Sequence, residues 1–314
     1  MPLTMKDVQR FEAARPRLQA IAYRLLGSAG EAEDAVQDTF LRWQAADVDR
    51  IEVPEAWLTK VLTNLCLNQL ASARARRETY VGQWLPEPLL DGDPMLGPAE
   101  TAEQRESLSY AVLTLMERLS PQERAVYVLR TAFDYPHREI ARILGISEAA
   151  GQQLLHRARK HLADGRSRAP IDEAAARRVV EEFLAAATSG RTEPLVKLLT
   201  ADAFSVGDGG GKVPARAKVI DGALAVASFM RGLFKPARSK RAIVGGSPGI
   251  HVTTANGGPA VVAVLDGRVV GVMCLEVTED GIAAFRNQVN PDKLRRATEL
   301  WAAGDHGQPF FQAF

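Results

Sequence analysis

The stretch SPQERAVYVLRTAFDYPHREIARILGISEAAGQQLLHRARKHL, residues 120–162, predicts three short helices joined by tight turns. Its first helix has a clear start signal, because Ser120 can cap it, Pro121 suits the first helical position and Glu123 can close a capping box. Gly145 ends the second helix, since glycine tolerates the left-handed backbone of such a turn. The stretch therefore indicates a compact helical unit.

The third helix of this stretch, which Ser147 can cap, has an apolar stripe and a basic polar side. A glycine turn followed by an amphipathic basic helix is the spacing of a helix-turn-helix, whose second helix enters the major groove. Gln, Arg and Lys are side chains that reach base edges and phosphates there. The alternative is a solvated basic face on an ordinary helical hairpin. The polar side comprises Gln152, Gln153, His156, Arg157, Arg159 and Lys160.

The composition is that of an ordinary globular protein. The 314 residues suffice for two or three domains, and the net charge of +1 means that any nucleic-acid contact must come from local clustering. No apolar run reaches membrane-spanning length and the N-terminus lacks the form of a signal peptide, which predicts a cytoplasmic protein with no membrane partner. Cys66 and Cys274 are far apart, so neither a disulfide framework nor a metal site is predicted, and no cofactor is expected.

Two helical segments precede this stretch. Residues 5–27 predict an amphipathic helix or helix pair, broken by Gly27 and Gly30, and residues 31–44, EAEDAVQDTFLRWQ, predict a helix with an acidic face. Acids in a first turn are stabilised by the helix dipole whether or not a partner exists. The alternative is that this face docks a basic partner.

A further helix is predicted for residues 54–77, PEAWLTKVLTNLCLNQLASARARR. One side carries polar residues at four-residue steps, and the C-terminal end carries arginines. Cations are favoured at a helix C-terminus in any case, but amides above an arginine cluster also suit a nucleic-acid backbone with bases drawn out of the stack. These residues are Lys60, Asn64, Asn68, Ser72, Arg74, Arg76 and Arg77.

These three blocks, in this order, resemble the extracytoplasmic-function (ECF) sigma factors of bacterial RNA polymerase. The resemblance covers about residues 5–165. It implies that the acidic block binds the clamp helices of the polymerase and that the next helix, with the loop at about 45–53, melts and reads the minus-ten promoter element. It implies that the helix-turn-helix reads the minus-thirty-five element. The implied partners are RNA polymerase core and promoter DNA.

The resemblance implies three sets of binding residues. The RNA polymerase-binding candidates are Asp34, Gln37, Asp38 and Arg42. The DNA-binding candidates on the minus-ten side are Lys60, Asn64, Asn68, Arg74, Arg76 and Arg77. The DNA-binding candidates on the minus-thirty-five side are Gln152, Gln153, His156, Arg157 and Arg159.

The sequence departs from the family pattern at Gly151 and Gln152, where the family usually has a β-branched apolar residue followed by Arg. Glycine inside a helix weakens it by about 0.5–1 kcal/mol relative to Ala. Loss of the arginine removes a phosphate or guanine contact, and a bidentate one contributes about 1–3 kcal/mol of discrimination. Altered or weaker upstream recognition is therefore expected.

The C-terminal third changes from helical to strand-like periodicity. Helices are predicted over residues 172–189, 193–199 and 223–234, and Asp266-Gly267 is a strong hairpin signal. Helices followed by an antiparallel meander indicate an α+β domain. Strands are predicted at 203–207, 242–244, 249–254, 260–265, 268–277 and 282–289.

This order resembles the SnoaL-like branch of the NTF2-like cone fold, which one subgroup of ECF sigma factors carries in place of a separate anti-sigma protein. The motifs WLPEPL, DGGGK and NPDK support the match. The resemblance implies that the domain's motifs face the WLPEPL segment and hold the two DNA-binding modules in a fixed relation, so that the domain modulates the factor's own activity. The regulatory candidates are Trp84, Leu85, Pro86, Asp208, Gly209, Gly210, Lys212, Asn290, Pro291, Asp292 and Lys293.

The predicted fold is multidomain: two all-α sigma modules, the second a helix-turn-helix, followed by an α+β NTF2-like, SnoaL-like cone domain. For the tail, four alternatives stay open: docking across the sigma modules, an inhibitory arm, crystal-like end packing and disorder. The linker's apolar residues predict that part of it packs on another element. The predicted divisions are region 2 at 1–80, a Pro/Gly-rich linker at 81–106, region 4 at 107–166, the SnoaL-like domain at 170–302 and the tail at 303–314.

Two other functions stay open at this level. One is a ligand-responsive helix-turn-helix regulator whose cone domain binds a small molecule, and the other is a cyclase- or isomerase-type enzyme. The acidic block and the Asn/Arg helix favour a sigma factor, since a simple repressor needs neither. Asp208, His251 and Asp266 are interpreted as a turn acid, a strand-edge histidine and a hairpin residue, because no nucleophile–base pair or metal spacing is visible. A non-enzymatic protein is predicted, with an unidentified small ligand in the cone pocket left open.

Overall fold

The computed structural model describes residues 4–78, 80–163, 171–216 and 218–314, and the side chains of residues 73–78 lie outside that description. The chain divides into two compact units, which we call the helical unit and the cone domain. The helical unit comprises Met1–Thr79 and Gly92–Ser167, and the cone domain comprises Tyr80–Asp91 and Arg168–Phe314.

The helical unit begins with three packed helices, α1 (Met5–Leu26), α2 (Ala29–Ala45) and α3 (Pro54–Glu78). The single helix α1 ends at Gly27, whose φ of 69° is the left-handed conformation that glycine favours. Gly30, which was expected to break the helix, instead lies in the first turn of α2, which begins after the cap Ser28. A glycine at this position does not interrupt the helix, because the first N–H groups of a helix have no intrahelical partner and are satisfied by the cap residue.

The second half of the helical unit is built from short helices. Its first two helices precede the helix-turn-helix stretch, and a five-residue π-helical turn at Val128–Ala132 follows α6. The capping box of Ser120 and Glu123 is formed as predicted, and Gly145 ends α7 with a φ of 66°. The helices are α4 (Ala102–Leu108), α5 (Tyr110–Leu115), α6 (Pro121–Tyr127), α7 (His137–Leu144) and α8 (Glu148–Ala163).

Within the helical unit, α1 and α3 pack directly on the helix-turn-helix segment. The Arg124 guanidinium is buried, and its Nε donates to the main-chain oxygen of Arg24 at 3.3 Å. The Arg24 guanidinium lies over the Phe133 ring, 5.1 Å from its centroid. The Thr59 hydroxyl lies 3.0 Å from the Tyr135 hydroxyl. These contacts join the helices expected to read the two promoter elements into one compact body.

In its described residues, the cone domain combines helices with a single β-sheet. Its helices are α9 (Glu173–Thr188), α10 (Glu193–Lys197), α11 (Ala223–Phe234), α12 (Arg238–Val244) and α13 (Arg295–Ala302). Its strands are β1 (Leu199–Asp208), β2 (Ile220–Asp221), β3 (Gly249–Ala255), β4 (Gly258–Leu265), β5 (Arg268–Thr278), β6 (Gly281–Gln288) and β7 (Phe311–Gln312).

The described strands form one sheet in the order β2-β1-β6-β5-β4-β3-β7. The pairing is antiparallel except between β1 and β6, which are parallel and align Gly207 with Asn287 and Asp208 with Gln288. The core lies between the sheet and the helices, where Phe183 stacks within 5.0 Å of Phe285. The α+β cone architecture is confirmed.

Two sequence predictions in this domain need correction. Residues 242–244 are the last turn of α12 and not a strand. The prediction was wrong because a run of three apolar residues is too short for its periodicity to distinguish a helix from a strand. The helix predicted to end at 199 ends at Lys197, and Leu199 already begins β1. The tail pairs with β3 through Phe311 and Gln312, so these residues complete the sheet of their own domain.

Candidate functional site

The segment Tyr80–Asp91, which contains WLPEPL, packs into the cone domain. Leu85 and Leu89 are buried, as are both prolines of the motif, while Trp84 is half-buried. The prediction that apolar residues of this stretch pack on another element is therefore confirmed. We call it the linking segment, because it joins the two halves of the helical unit along the chain. Whatever fixes it to the cone domain therefore constrains the chain between both halves.

Asp208 at the end of β1 is the centre of this attachment. Its carboxylate is fully buried, and Oδ2 accepts from the main-chain N–H of Leu85 at 3.0 Å. Oδ1 accepts from the Tyr80 hydroxyl at 2.6 Å and from the N–H of Gly210 at 3.0 Å. The interpretation of Asp208 as a turn acid describes its contact with the N–H of Gly210, and the carboxylate is in addition a buried acceptor for the segment Tyr80–Asp91.

Lys293 supplies the opposite charge. Its Nζ lies 2.8 Å from Asp208 Oδ2 and donates at 2.7 Å to the main-chain oxygen of Leu85. The ammonium also lies 4.1 Å from the centroid of the Trp84 ring and 5.0 Å from that of Tyr80, which is cation–π geometry. One lysine of NPDK therefore binds both the acid of DGGGK and the first residues of WLPEPL.

Two amides complete the arrangement. Gln288 at the end of β6 donates from Nε2 to the main-chain oxygen of Pro86 at 3.2 Å and to Asp208 at 3.2 Å. Asn290 donates from Nδ2 to the Tyr80 hydroxyl at 2.9 Å. We call Tyr80, Asp208, Gln288, Asn290 and Lys293 the Asp208 cluster. Tyr80 and Gln288 were not among the predicted site residues.

The glycines of DGGGK shape the turn that presents Asp208. A Cβ on Gly209 would overlap the main-chain oxygen of Val213, so no larger residue fits there. Gly210 has a φ of 60° and lies against the Asn290 side chain. Beyond the turn, Lys212 forms an exposed ion pair with Asp292, at 2.6 Å. The structure thus brings the DGGGK and NPDK loops together.

A second attachment holds the end of the linking segment. The Asn256 side chain accepts from the Leu89 N–H at 3.0 Å, and the Asn256 N–H donates to the Leu89 oxygen at 2.8 Å. Asn256 is buried with a φ of 52°, a conformation that asparagine tolerates better than most residues. Sequence reasoning missed it, although Asn256-Gly257 between two strands is a recognisable hairpin signal.

Electrostatics stabilise the ionised form of Asp208. Burial by itself raises the pKa of this carboxyl, but the Lys293 ammonium and the hydrogen bonds from Lys293, Tyr80 and Leu85 outweigh it, so the pKa lies below its ordinary value. Burial and the adjacent Asp208 carboxylate raise the pKa of the Tyr80 hydroxyl. Tyr80 therefore remains a donor to Asp208 at any physiological pH.

The predicted polymerase-binding residues share an exposed face of α2. Asp34, Gln37, Asp38 and Arg42 are all exposed, whereas Trp43 on the opposite face is fully buried. Leu41, which is 51% exposed, lies on the same outer surface and was not predicted.

The predicted minus-ten stripe is also formed. Lys60, Asn64 and Asn68 are exposed along α3, while Leu58 and Leu62 on the other side are buried. The stripe continues to Ser72, which is exposed as well. The side chains of three further candidates lie outside the described residues, and these are Arg74, Arg76 and Arg77.

The outer side of α8 carries the predicted minus-thirty-five residues. All five are exposed, and a shallow surface concavity is lined by Gln152, Gln153, His156 and Arg157. Arg157 Nε also lies 3.2 Å from Glu123, which closes the capping box of α6. Part of the Arg157 guanidinium is therefore engaged within the protein, and its remaining N–H groups face outward. The fifth residue of the set is Arg159.

The other two residues considered for catalysis are Asp266 and His251. Asp266 and Gly267, with φ values of 50° and 74°, form the predicted two-residue hairpin between β4 and β5. His251 in β3 packs against the edge of Trp301, 4.9 Å between ring centroids. Among the described residues, no group of three or more His, Cys, Asp or Glu side chains is placed to hold a metal ion. None of the described helices is long and apolar enough to cross a membrane.

Comparison with known proteins defines the class of this chain. Residues 10–76 match the family model for Sigma-70 region 2, and residues 109–162 match that for Sigma-70 region 4. The first range covers most of α1 to α3, and the second covers the segment from α5 to the end of α8. The two helical modules are therefore those of a sigma factor, in the order predicted from the sequence.

Similarity over nearly the whole chain gives the particular family. The chain is 35% identical to the ECF RNA polymerase sigma factor SigJ of Mycobacterium tuberculosis, across 92% of this chain and 93% of that protein. It is 31% identical to the probable ECF RNA polymerase sigma factor SigI of the same species, across 90% and 93%. The crystal structure of M. tuberculosis SigJ matches with a TM-score of 0.69 and 33% identity, covering 91% of this chain and 97% of that one.

The chain belongs to the ECF RNA polymerase sigma factors, within the subgroup represented by SigJ. Its function is that of a sigma factor in transcription, and this family membership favours the sigma-factor interpretation over an operator-binding regulator. The α+β fold predicted for the C-terminal third is likewise confirmed, and the SigJ match, which covers 91% of this chain, extends into it.

Proposed function

We propose that this sigma factor binds RNA polymerase core through the exposed face of α2 and recognises the promoter with α3 and α8. The supporting observation is that each predicted set of residues lies on one exposed helical face, backed by a buried face that packs in the helical unit. Side chains on each such face are accessible to a partner that binds this face alone. The faces comprise Asp34, Gln37, Asp38 and Arg42; Lys60, Asn64 and Asn68; and Gln152, Gln153, His156, Arg157 and Arg159.

The Asp208 cluster supports a regulatory role for the cone domain. It holds Leu85 and Pro86, which lie in the chain between the two sigma modules, by a buried ion pair and main-chain hydrogen bonds. A linking segment fixed in this way restricts how the two modules are held. We therefore assign the modulation of activity to the state of this attachment.

We also propose a non-enzymatic role, which the same geometry supports. Asp208 is the strongest candidate for a catalytic acid in the cone domain, yet its carboxylate already accepts from Lys293, Tyr80 and two main-chain N–H groups. A carboxylate engaged in this way has no free lone pair directed at a substrate. The pocket of this domain is proposed to serve regulation, with a small molecule as its occupant.

Run-off transcription with purified polymerase core tests the main proposal. The full chain should give a transcript that depends on the core and on a specific promoter, whereas the chain or the core alone should give none. Asn64→Ala and Asp38→Ala should each reduce the transcript, because one loses a base or backbone contact and the other loses core affinity. Glu12→Ala, on an exposed part of α1 outside these faces, is the control. A transcript that is independent of the added chain would contradict the proposal.

The regulatory role is tested with the full chain carrying Asp208→Asn. Releasing the linking segment should change the yield of promoter-dependent transcript at equal concentrations of chain and core. Lys212→Met, which removes only the exposed ion pair with Asp292, should leave the yield near that of the unmodified chain. Equal yields from all three proteins would show that the attachment has no regulatory effect.

A further inference from the structure

The cone domain contains an apolar cavity of about 200 Å³. Its walls come from α11, through Phe229 and Leu233, and from the sheet, through Val261, Ala263 and Met273. A dry apolar cavity of about 150 Å³ is sufficient for benzene, so the volume here suits a bicyclic ring or a short branched chain. The size and the lining therefore define an occupant that is small and mostly apolar.

One polar side chain in the wall has an unused acceptor. Asn287 donates from Nδ2 to the Ser205 hydroxyl at 3.1 Å and to the main-chain oxygen of Val206 at 3.2 Å. A carbonyl oxygen can only accept, so these contacts fix which end of the amide is the NH₂ group. Asn287 Oδ1 is buried and has no hydrogen-bond partner among the described residues. A buried acceptor without a donor is costly, and a ligand donor removes that cost.

The only charged side chain among the described cavity-lining residues is that of Arg216, and it is exposed. Its guanidinium lies over the Phe229 ring, 5.8 Å from the centroid. The charge is therefore solvated at the rim, and no charged group inside the cavity would compensate an ion. The buried part of the occupant must be neutral.

We propose that the cavity binds a neutral, mostly apolar small molecule whose hydroxyl or N–H group donates to Asn287 Oδ1, and that the Asp208 cluster senses its presence. This inference rests on the proposed regulatory role of the cone domain and names the chemistry of the signal. Its binding step is independent of transcription, so each can be tested without the other.

The connection between cavity and cluster lies in the pairing of β1 with β6. Gly207 pairs with Asn287 and both line the cavity, while the next pair, Asp208 with Gln288, belongs to the Asp208 cluster. Successive residues of a strand face opposite sides of a sheet. A ligand on Asn287 therefore presses on one face of the strand pair whose other face holds Leu85 and Pro86.

Binding is tested by titrating the full chain with 2-naphthol and with 2-methylnaphthalene, which differ only in a hydroxyl for a methyl group. The hydroxyl compound should bind about fivefold to tenfold more tightly, the ratio expected from one net hydrogen bond. Equal affinity would overturn the assignment of Asn287 as the acceptor. Absence of binding by both compounds would overturn the ligand site.

Variants locate the bound compound. Ala263→Leu fills the cavity and should abolish binding of both compounds, whereas Val264→Leu, at the neighbouring residue that does not line this cavity, should leave both affinities unchanged. Asn287→Leu should reduce the naphthol affinity to that of the methyl compound. Binding that survives Ala263→Leu would place the compound elsewhere and overturn the proposal.

The sensing step is tested by hydrogen exchange of the segment Tyr80–Asp91. Saturating 2-naphthol should change the exchange rate of the Leu85 amide at least severalfold in the unmodified chain and leave it unchanged in Ala263→Leu. No change in the unmodified chain would overturn the sensing step. A chain that binds naphthol but gives no promoter-dependent transcript would instead contradict the proposed function, so the two failures are distinguishable.

Discussion

Lys293 and Asp208 form a buried ion pair, with 2.8 Å between Nζ and Oδ2, at the point where the chain linking the two sigma modules enters the cone domain. Two charges removed from water are stable only when their remaining hydrogen-bonding capacity is met. Here that capacity is met in part by main-chain groups of the linking segment, through the N–H and the oxygen of Leu85. The pair and the segment therefore depend on each other.

Asp208→Asn should weaken the attachment of the linking segment by about 3–5 kcal/mol, because it leaves the Lys293 ammonium buried and unpaired. The measurement is native-state hydrogen exchange of the Leu85 amide, which reports the free energy of local opening. Lys212→Met provides the control, since an exposed pair contributes at most about 1 kcal/mol. Equal opening free energies in the unmodified chain and Asp208→Asn would show that the pair does not hold the segment.

The lowered pKa of Asp208 predicts how this stability depends on pH. The unfolded carboxyl titrates near 3.8 and the folded one below it, so the folded state binds its proton less readily. The ionised pair therefore contributes fully above the unfolded pKa, and its contribution is lost as pH falls through the folded pKa. The difference in urea midpoint between the unmodified chain and Asp208→Asn should be constant from about pH 5 to 8 and shrink below about pH 4. A difference that grows on acidification would contradict this direction.

The helical modules were predictable because their signals are local. The capping box of Ser120 and Glu123 and the left-handed Gly145 depend on residues within a few positions, and the structure contains both. The exposed stripe of Lys60, Asn64 and Asn68 follows in the same way from four-residue spacing. Periodicity decided the helical face, while the role of each side chain on it came from the family resemblance.

The Asp208 cluster was only partly predictable, because its contacts join residues far apart in sequence. The motif resemblance selected Asp208 and Lys293, which lie 85 positions apart, but the residues alone indicated only a turn acid at 208. Acidic side chains are rarely fully buried, and no sequence signal near Asp208 indicates Lys293 as its partner. Gln288 and Asn256 were missed for the same reason, since an isolated amide in a strand or turn carries no periodic signal.

Gly151 offers a test of the weakened recognition helix. It lies inside α8, and a Cβ there would meet only Ile146 Cδ1, at an ordinary contact distance of 3.8 Å. Gly151→Ala should therefore stabilise this helix by about 0.5–1 kcal/mol, measured by hydrogen exchange of residues 152–162. Gly145→Ala is the matched control and should destabilise, because residue 145 has a φ of 66°. Faster exchange in Gly151→Ala would contradict the prediction.

Gln152 tests the assignment of α8 to upstream DNA. Its side chain is exposed, and Gln152→Arg should raise the affinity for upstream promoter duplex by about 1–3 kcal/mol if the arginine reaches a guanine in bidentate geometry. Titrations at several salt concentrations distinguish a guanine contact from a phosphate contact, because a phosphate contact steepens the slope of log affinity against log salt concentration by about one. Gln152→Lys adds the positive charge without the planar, bidentate guanidinium group and should raise the affinity for the duplex by less. An unchanged or lower affinity for Gln152→Arg would count against this placement.

The compact helical unit predicts that the two sigma modules separate when both promoter elements are bound. Elements at positions minus ten and minus thirty-five are about 85 Å apart along B-DNA, at about 3.4 Å per base pair. Helix α3 is only about 37 Å long, and α6 and α7, on which α8 packs, contact it directly. The contacts of Tyr135 with Thr59 and of Arg124 with Arg24 must therefore break.

Fluorescence energy transfer between dyes on Ala71→Cys in α3 and Ala163→Cys at the end of α8 measures this separation. Both positions are exposed, whereas Cys66 and Cys274 are buried, and burial raises the pKa of both native thiols, so dyes attach to the introduced cysteines. Transfer should be high in the free chain and fall when core and promoter DNA are added together. Core with a DNA lacking the minus-thirty-five element is the control and should lower transfer less. Transfer that stays high in a transcribing complex would show that both elements are read without opening the unit.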